Sequence, residues 1–533
     1  MKLNREIQKL TPSKIEKILE KRFQKDGLLN ISNLPNPNLF KDMQRATKRI
    51  LKAIREREKI IVVGDYDVDG VISVAILRLF FNEVGLPLNH IIPNRFRHGY
   101  GLSRGIFEYI QDYNLVITVD NGISSVETAR LCREKNIDLI ITDHHLVPKN
   151  RPEAFAIINQ KQQECKFPYS DICGAEITWY LIASLNIALN RKIDIRKYLP
   201  LVAIATIADM MPLLHINRAI VKFGLKYFLK YQTPPLLAFS KLLNKEQINS
   251  DDIAFFIAPL LNSAGRIKDA KYALNFLMSK NLNEAIENLN TLIEFNTKRK
   301  EIEKDITKEA MSSANLEDNI LVIEGDNWHE GVVGIVASRV GRAFRRPTII
   351  LTKTENGIYK GSGRSFTDCN IFQIVNSSKN LLERFGGHNS AIGLSLKSEN
   401  LEEFKRRLNR TFLEENYSNE FIDLDILGEL DFTYINFNLL NLIEKFEPFG
   451  EGNRRPKFIA KNVTISNIKF LGKEKEHQKL HLTKNNITFE SLLFRDSREF
   501  KIGQKIDIVF TIHKNSFNQQ IKIQLILDNI EEA

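Results

Sequence analysis

The chain has 533 residues, 43% of them hydrophobic, which suits two to four packed domains rather than one. Lys plus Arg number 76 and Asp plus Glu 65, and the resulting net charge of +11 favours a polyanionic partner, nucleic acid first. The four cysteines (Cys132, Cys165, Cys173, Cys369) show no CxxC spacing, and neither the opening MKLNREIQKL nor any later run has the apolar length of a leader or a membrane span. Zinc ribbons, disulfide frameworks and membrane proteins are thereby disfavoured, and a cytoplasmic protein is expected.

An N-terminal helical segment is predicted over 1–57. From 58, short apolar runs alternate with helical patterns. Strands are predicted at KIIVVGDYD, HIIPNRF, LVITVD, DLIITDHH and FAIINQ, with a helix at VISVAILRLFFNEVG ended by Gly85. Continuous rather than alternating apolar strands, separated by helices, predict a parallel sheet covered on both faces. Helices follow at EITWYLIASLNIALN and LPLVAIATIADMMPL, completing a domain over 58–281. The stretch from 282 to 314 has no Pro or Gly and reads as one long charged helix, a spacer over 282–318. A second α/β pattern is predicted over 319–456, with strands NILVIEG, PTIILTK and GIYKGSGRS and the helix VVGIVASRVGRAF. From 457 to 533 the period is two, with short turns, which predicts a small antiparallel barrel or sandwich.

In an open parallel sheet, ligands bind beyond the carboxyl ends of the strands. Asp65, Asp67 and Asp69 follow the first strand, Asp120 ends LVITV, and Asp143, His144 and His145 end LIIT. Asp209 ends the apolar helix LVAIATIAD. A DxD turn alone is common on acidic surfaces. Several carboxylates and two imidazoles converging at one sheet edge would be unstable as bare charges. Two divalent cations, Mn2+ or Mg2+, would neutralise them, and a pair about 3.5–4 Å apart is a recurrent phosphodiesterase device.

DYDVDG, VDNGIS, TDHH and ATIADMMPL resemble the four ordered motifs of the DHH phosphoesterase family, and within it the RecJ-type exonucleases that attack single-stranded DNA from 5′ to 3′. PNRFRHGYGL, APLLNSAGRIKDA, WHEGVVGIVASRV, GSGRS, FGGHNSAIG and EPFGEGNRRPKF follow in the order of that family, over roughly residues 35–530. The resemblance implies an α/β protein with a parallel-sheet DHH catalytic domain, a DHHA1 lobe joined to it by a long helix, and a C-terminal OB-like β-barrel. It implies metal-dependent release of mononucleotides from DNA in repair and recombination. By motif position, Asp65 and Asp67 would serve the first ion, Asp69, His144 and Asp209 the second, and Asp120 both. His145 would face the scissile phosphate, and His388 would contact the substrate. One departure stands out: Ile392 replaces the second alanine of the family's GGHxxAAG, which predicts a bulkier side chain beside the substrate channel.

Gly361 and Gly363 flank Ser362, a setting that admits a phosphate, and Arg364 could grip it bidentately. With Arg266 and Arg95, these positions resemble a pocket for a 5′-terminal phosphate. The OB-like region would hold single-stranded DNA through stacking and backbone charge, with FLGKEKEHQKLHL and FTIHKNSFNQQIKI as candidate loops. A helicase and a single-strand-binding protein are the partners the resemblance implies. The rival readings are a DHH-family oligoribonuclease or cyclic-dinucleotide phosphodiesterase, which would lack the barrel, and a non-catalytic replication scaffold, which would have lost metal carboxylates.

Overall fold

The computed structural model describes residues 8–532 except 26, 355–356, 367–368, 420–424, 473–476, 495, 497 and 518–519. Two compact units emerge: residues 2–91, 101–258 and 423–533 form one, and residues 92–100 and 259–422 the other.

The first unit holds the expected parallel sheet, with strands β1 (Ile60–Val63), β2 (Asn89–Ile91), β3 (Leu115–Val119), β4 (Asp138–Thr142) and β5 (Ala156–Ile158) in the order β2-β1-β3-β4-β5. Every neighbouring pair is parallel. One face packs Ile61, Val63, Val116 and Ile141 against Leu102, Ile106, Ile110, Ala129 and Cys132. The helices Val68–Glu83 and Gly174–Ala188 pack on each other, and both are apolar nearly all round. Such helices are stable only when covered on all sides. The strand order reverses between β1 and β3, so a crevice is expected at their carboxyl ends.

The second unit carries the helix Leu282–Ser312, 31 residues long, capped by Asn281 accepting from Glu284 N at 3.0 Å. Its sheet runs β6 (Leu321–Asp326), β7 (Thr348–Lys353), β8 (Ile358–Arg364), then β10 (Ala391–Lys397) and β9 (Leu382–His388). The helix Val333–Phe344 and the long helix share a core with one face, through Ile306, Ala310, Val336 and Ile350. The helices Ile371–Asn376 and Leu401–Glu414 cover the other. Ile392 differs from its expected place. Strand alternation turns it into this second core, buried with Leu394 and Leu396, with Gly363 beneath its side chain. Its side chain is a core residue, while its carbonyl oxygen accepts from Ser362 Oγ at 2.9 Å.

In the first unit, β12 (Lys457–Leu471), β13 (His477–Lys484), β14 (Ile487–Phe494), β15 (Lys505–Phe517) and β16 (Gln520–Glu532) close into a five-stranded barrel through the β12–β15 pairing. Closure removes the sheet edges. Asn485 and Asn486, at φ 51 and 60, make the tight β13–β14 turn, where two left-handed residues match strand twist. The barrel draws on more chain than the predicted 457–533. The strand β11 (Ile426–Glu429) pairs with β12, and Phe432, Leu439, Ile443, Phe446 and Phe449 share the barrel core with Ile15 and Leu19 of the helix Pro12–Lys21. The segment from 425 to 456 therefore packs with the barrel rather than with the α/β domain preceding it, because its apolar side chains complete that core.

Candidate metal centre

Three acids crowd one turn after β1, and Gly70 makes the turn possible: a Cβ there would lie 2.6 Å from the Asp65 backbone nitrogen. Asp67 caps the helix Val68–Glu83, its Oδ1 accepting from Gly70 N at 3.1 Å. Asp69 sits in the first helical turn, buried. Its two oxygens accept from Gly174 N at 2.6 Å and Ala175 N at 2.8 Å, the first amides of the helix Gly174–Ala188. Helix N-termini favour such anions. Gly174 is also forced, since a Cβ would come within 2.6 Å of the Asp120 Cβ. Asp120 leaves β3 in the left-handed region, φ 61, and is buried.

His144 joins these elements. Its Nε2 lies 3.2 Å from Asp120 Oδ1, 3.5 Å from Asp209 Oδ2 and 3.9 Å from Asp69 Oδ2. Two sets of ligand atoms gather within 4.8 Å of one another: Asp65, Asp67 and Asp120, and Asp69, His144 and Asp209. Asp120 belongs to the first set and touches His144 of the second. His145 forms a further group with Asp120 and His144. The six residues expected to hold metal are thus brought together around the reversal of strand order.

The electrostatics favour cations. Burial, then Asp67, pushes Asp69 up to about 6. Burial and the neighbouring aspartates raise Asp120 and Asp209 well above the carboxylate range. Among the described residues, none donates a hydrogen bond to the buried Asp209 Oδ2. Burial holds His144 down at about 3, so its imidazole is neutral and able to coordinate. A buried oxygen-rich set with one neutral imidazole fits a pair of hard divalent cations.

Sequence reasoning missed the supports. Asp143 accepts from Ile123 N at 2.9 Å and from His145 N at 3.0 Å, and its Oδ1 lies 2.7 Å from His145 Nδ1. Burial opposes charge on His145, but the Asp143 hydrogen bond and charge, with Asp209 and Asp67, hold it up at about 9. The Asp-x-His spacing, which allows an acid to bond two residues on, was the available signal. Asn121 ties β1 to β3 by donating to Val63 O and Val119 O.

Glu176 is fully buried behind Asp69, accepts from Thr206 Oγ1 at 3.0 Å, and is raised by burial to about 8. Folding therefore takes up a proton between about pH 4.5, the unfolded value, and pH 8. This stabilisation is full below pH 4.5 and is lost as pH rises through 8. Glu176→Gln is expected to flatten the fall of Tm between pH 5 and 8, measured by thermal melts. An equal slope in both proteins would place the proton elsewhere.

In the other unit, Ser362 and Arg364 lie on β8 against the start of the helix Val333–Phe344. A Cβ on Gly334 would sit 2.9 Å from Arg364 Nη2 and 3.2 Å from Ser362 Oγ. Arg364 Nη1 donates to Ser362 Oγ at 2.6 Å and Gly363 O at 2.8 Å, and burial lowers its pKa. Arg266 donates to Gly331 O at 3.2 Å. Asn94 donates to Lys268 O at 2.9 Å, anchoring the segment that carries Arg95, whose charge acts on His329. The four expected residues thus surround residues 329–334. His388 stands apart on exposed β9, across β10 from Arg364, since Ala391 pairs with both. Lys473 and Lys475 of the first candidate barrel loop lie outside the described residues, as do residues 518–519 of the second.

Comparison with known proteins agrees with this fold. The DHH family N-terminal domain matches residues 59–206, the DHHA1 domain 317–414 and the RecJ OB domain 426–529. The single-stranded-DNA-specific exonuclease RecJ of Bacillus subtilis is 32% identical over 92% of this chain, and the chain spans 64% of that protein. Its Haemophilus influenzae counterpart is 30% identical over 94% of this chain and 92% of its own length. Thermus thermophilus RecJ in complex with Mn2+ superposes with a TM-score of 0.81 at 25% identity, covering 97% of this chain and 76% of that one. The same protein with Mg2+ gives 0.74 at 24% identity, over 96% and 72%. With three domains matched in one order and a relative aligned over nearly its whole length, the chain belongs to the RecJ family.

Proposed function

We propose that this chain is a metal-dependent exonuclease specific for single-stranded DNA, which releases mononucleotides from the 5′ end in DNA repair and recombination. The observation that carries this reading is the paired ligand set around Asp120, buried beyond the carboxyl ends of β1 and β3. Asp65, Asp67 and Asp120 would hold one ion, and Asp69, His144, Asp209 and Asp120 the other. When bound, such ions supply a nucleophilic water at neutral pH and absorb charge building on the phosphoryl oxygens.

The chain's own groups do the rest. Asp143 fixes the His145 ring through Nδ1, and its hydrogen bond and charge favour the protonated imidazole. An imidazole held in this way beside the cluster would donate to the scissile phosphate or protonate the departing oxygen. Arg95, Arg266, Ser362 and Arg364, at a helix start, suit a terminal phosphate, the most highly charged end of a strand. Exposed Phe470 and Phe494, the latter paired edge-on with His477, give the barrel stacking surfaces for bases. His388 would contact the strand backbone. No helix among the described residues is long and apolar enough to cross a membrane. A cytoplasmic location and cooperation with a helicase and a single-strand-binding protein follow from the same reading.

The test is digestion of end-labelled single- and double-stranded DNA with Mn2+ or Mg2+. Mononucleotides should leave single strands from the 5′ end, only with a divalent ion present. Attack from the 3′ end, or equal cutting of duplex, would contradict the reading.

A further inference from the structure

The motif EPFGEGNRRPKF has no part in the chemistry above, yet its loop lies against the segment that carries Asp209. Asp209 ends the helix Leu199–Ala208, and only residues 210–214 separate it from the helix His215–Lys226. That link contains Met210 in the left-handed region, φ 55, and Pro212. A link this short transmits any displacement directly to the carboxylate. Two of its restraints are local: Met211 N donates to Thr206 O at 3.0 Å, and Asn217 donates to Pro212 O at 3.0 Å.

Met210 N also donates to Ile207 O at 3.1 Å and Leu214 N to Pro212 O at 2.8 Å, and further restraints come from the loop 447–453. Leu213 N donates to Glu451 O at 2.7 Å. A Cβ on Gly450 would lie 2.7 Å from Leu213 Cδ1, and one on Gly452, at φ 68, would lie 2.9 Å from Pro212 Cβ. Both glycines are where the loop meets the link. The loop itself is tied at several points. Fully buried Asn453 donates to Phe446 O at 2.8 Å and Pro448 O at 2.9 Å. Arg218 donates to Lys445 O and Glu447 O, and Arg22 donates to Asn453 Oδ1 at 3.1 Å. Phe446 and Phe449 anchor the loop in the barrel core.

We propose that residues 447–453 are a latch through which the barrel core sets the position of Asp209, with Gly450, Gly452 and Asn453 as its positioning residues. This rests on the reading of Asp209 as a metal-holding carboxylate. Sites of this kind tolerate displacements of only about 0.5 Å, and outer supports change metal affinity by about 10–100-fold.

The test uses the full chain and Mn2+ alone, with bound and free ion counted by electron paramagnetic resonance. Gly450→Ala is the cleanest variant, because its φ is not left-handed and the added methyl acts only through Leu213. It should weaken the affected Mn2+ by about tenfold, with little change in affinity for single-stranded DNA measured without metal. Gly450→Ala combined with Leu213→Ala removes the clash and should return Mn2+ affinity toward wild type. Arg22→Met, on the half-buried edge of the latch, should weaken Mn2+ in the same direction and decides the matter if Gly450→Ala does not fold. Wild-type Mn2+ affinity in folded Gly450→Ala or Arg22→Met, or no recovery in the double variant, would overturn the latch. Asp209→Ala is the control: if it binds Mn2+ as wild type does, the metal reading itself has failed.

Discussion

Asp120→Ala is expected to lower hydrolysis of single-stranded DNA by at least about a thousandfold. The residue touches both ligand sets, so its loss loosens two ions at once. A metal ion contributes several kcal/mol of transition-state stabilisation, and losing about 4 kcal/mol is about 10³ in rate. The protein should remain folded. Alanine keeps the Cβ that packs on Gly174, and removing this buried carboxylate ends its own repulsion with Asp69, Asp67, Asp209 and Asp65. Alanine is less at ease than aspartate at φ 61, which offsets that relief, so the metal-free melting temperature should change little and strand binding by the barrel should persist. A folded variant that cuts at near wild-type rate would remove the two-ion reading. One that neither folds nor binds DNA would make Asp120 a structural residue.

Arg364→Ala separates end recognition from general strand binding. The guanidinium is half-buried, held by the Ser362 hydroxyl and the Gly363 carbonyl beside a helix start. A charge-assisted hydrogen bond to phosphate is worth about 1.5–3 kcal/mol. If it is kept in the transition state, kcat/KM on 5′-phosphorylated DNA should fall by about 10- to 100-fold. The 5′-hydroxyl substrate should lose much less, and the comparison is made with both substrates and both proteins. Equal losses would mean that Arg364 grips the backbone rather than the end.

The catalytic end of the molecule was legible because its signals are local. A continuous apolar run followed at once by an acid has one reading in a parallel sheet: a buried strand whose carboxyl end carries chemistry. All five strands of the first sheet, and the acids at their ends, lie where that pattern put them. What was not legible depends on distant packing. Strands β9 and β10 were hidden by ERFGGHNSAIG, whose glycines lower strand propensity, while Gly387 at φ 147 allows the backbone of Ala391 to come close. The place of Ile392 needed the register of β10, since a one-residue shift would turn it to the other face. Asp69's two helix-amide donors and Glu176 come from a helix more than a hundred residues on, in a stretch read only as apolar. The barrel core recruits Ile15 and Leu19 from the start of the chain, a contact that no local period announces.

The most direct test of the account is a crystal soaked in Mn2+ and measured at the manganese absorption edge. Two anomalous peaks about 3.5–4 Å apart are expected, one among Asp65, Asp67 and Asp120 and the other among Asp69, His144 and Asp209, with Asp120 between them. A single peak, or manganese bound away from these six residues, would contradict it.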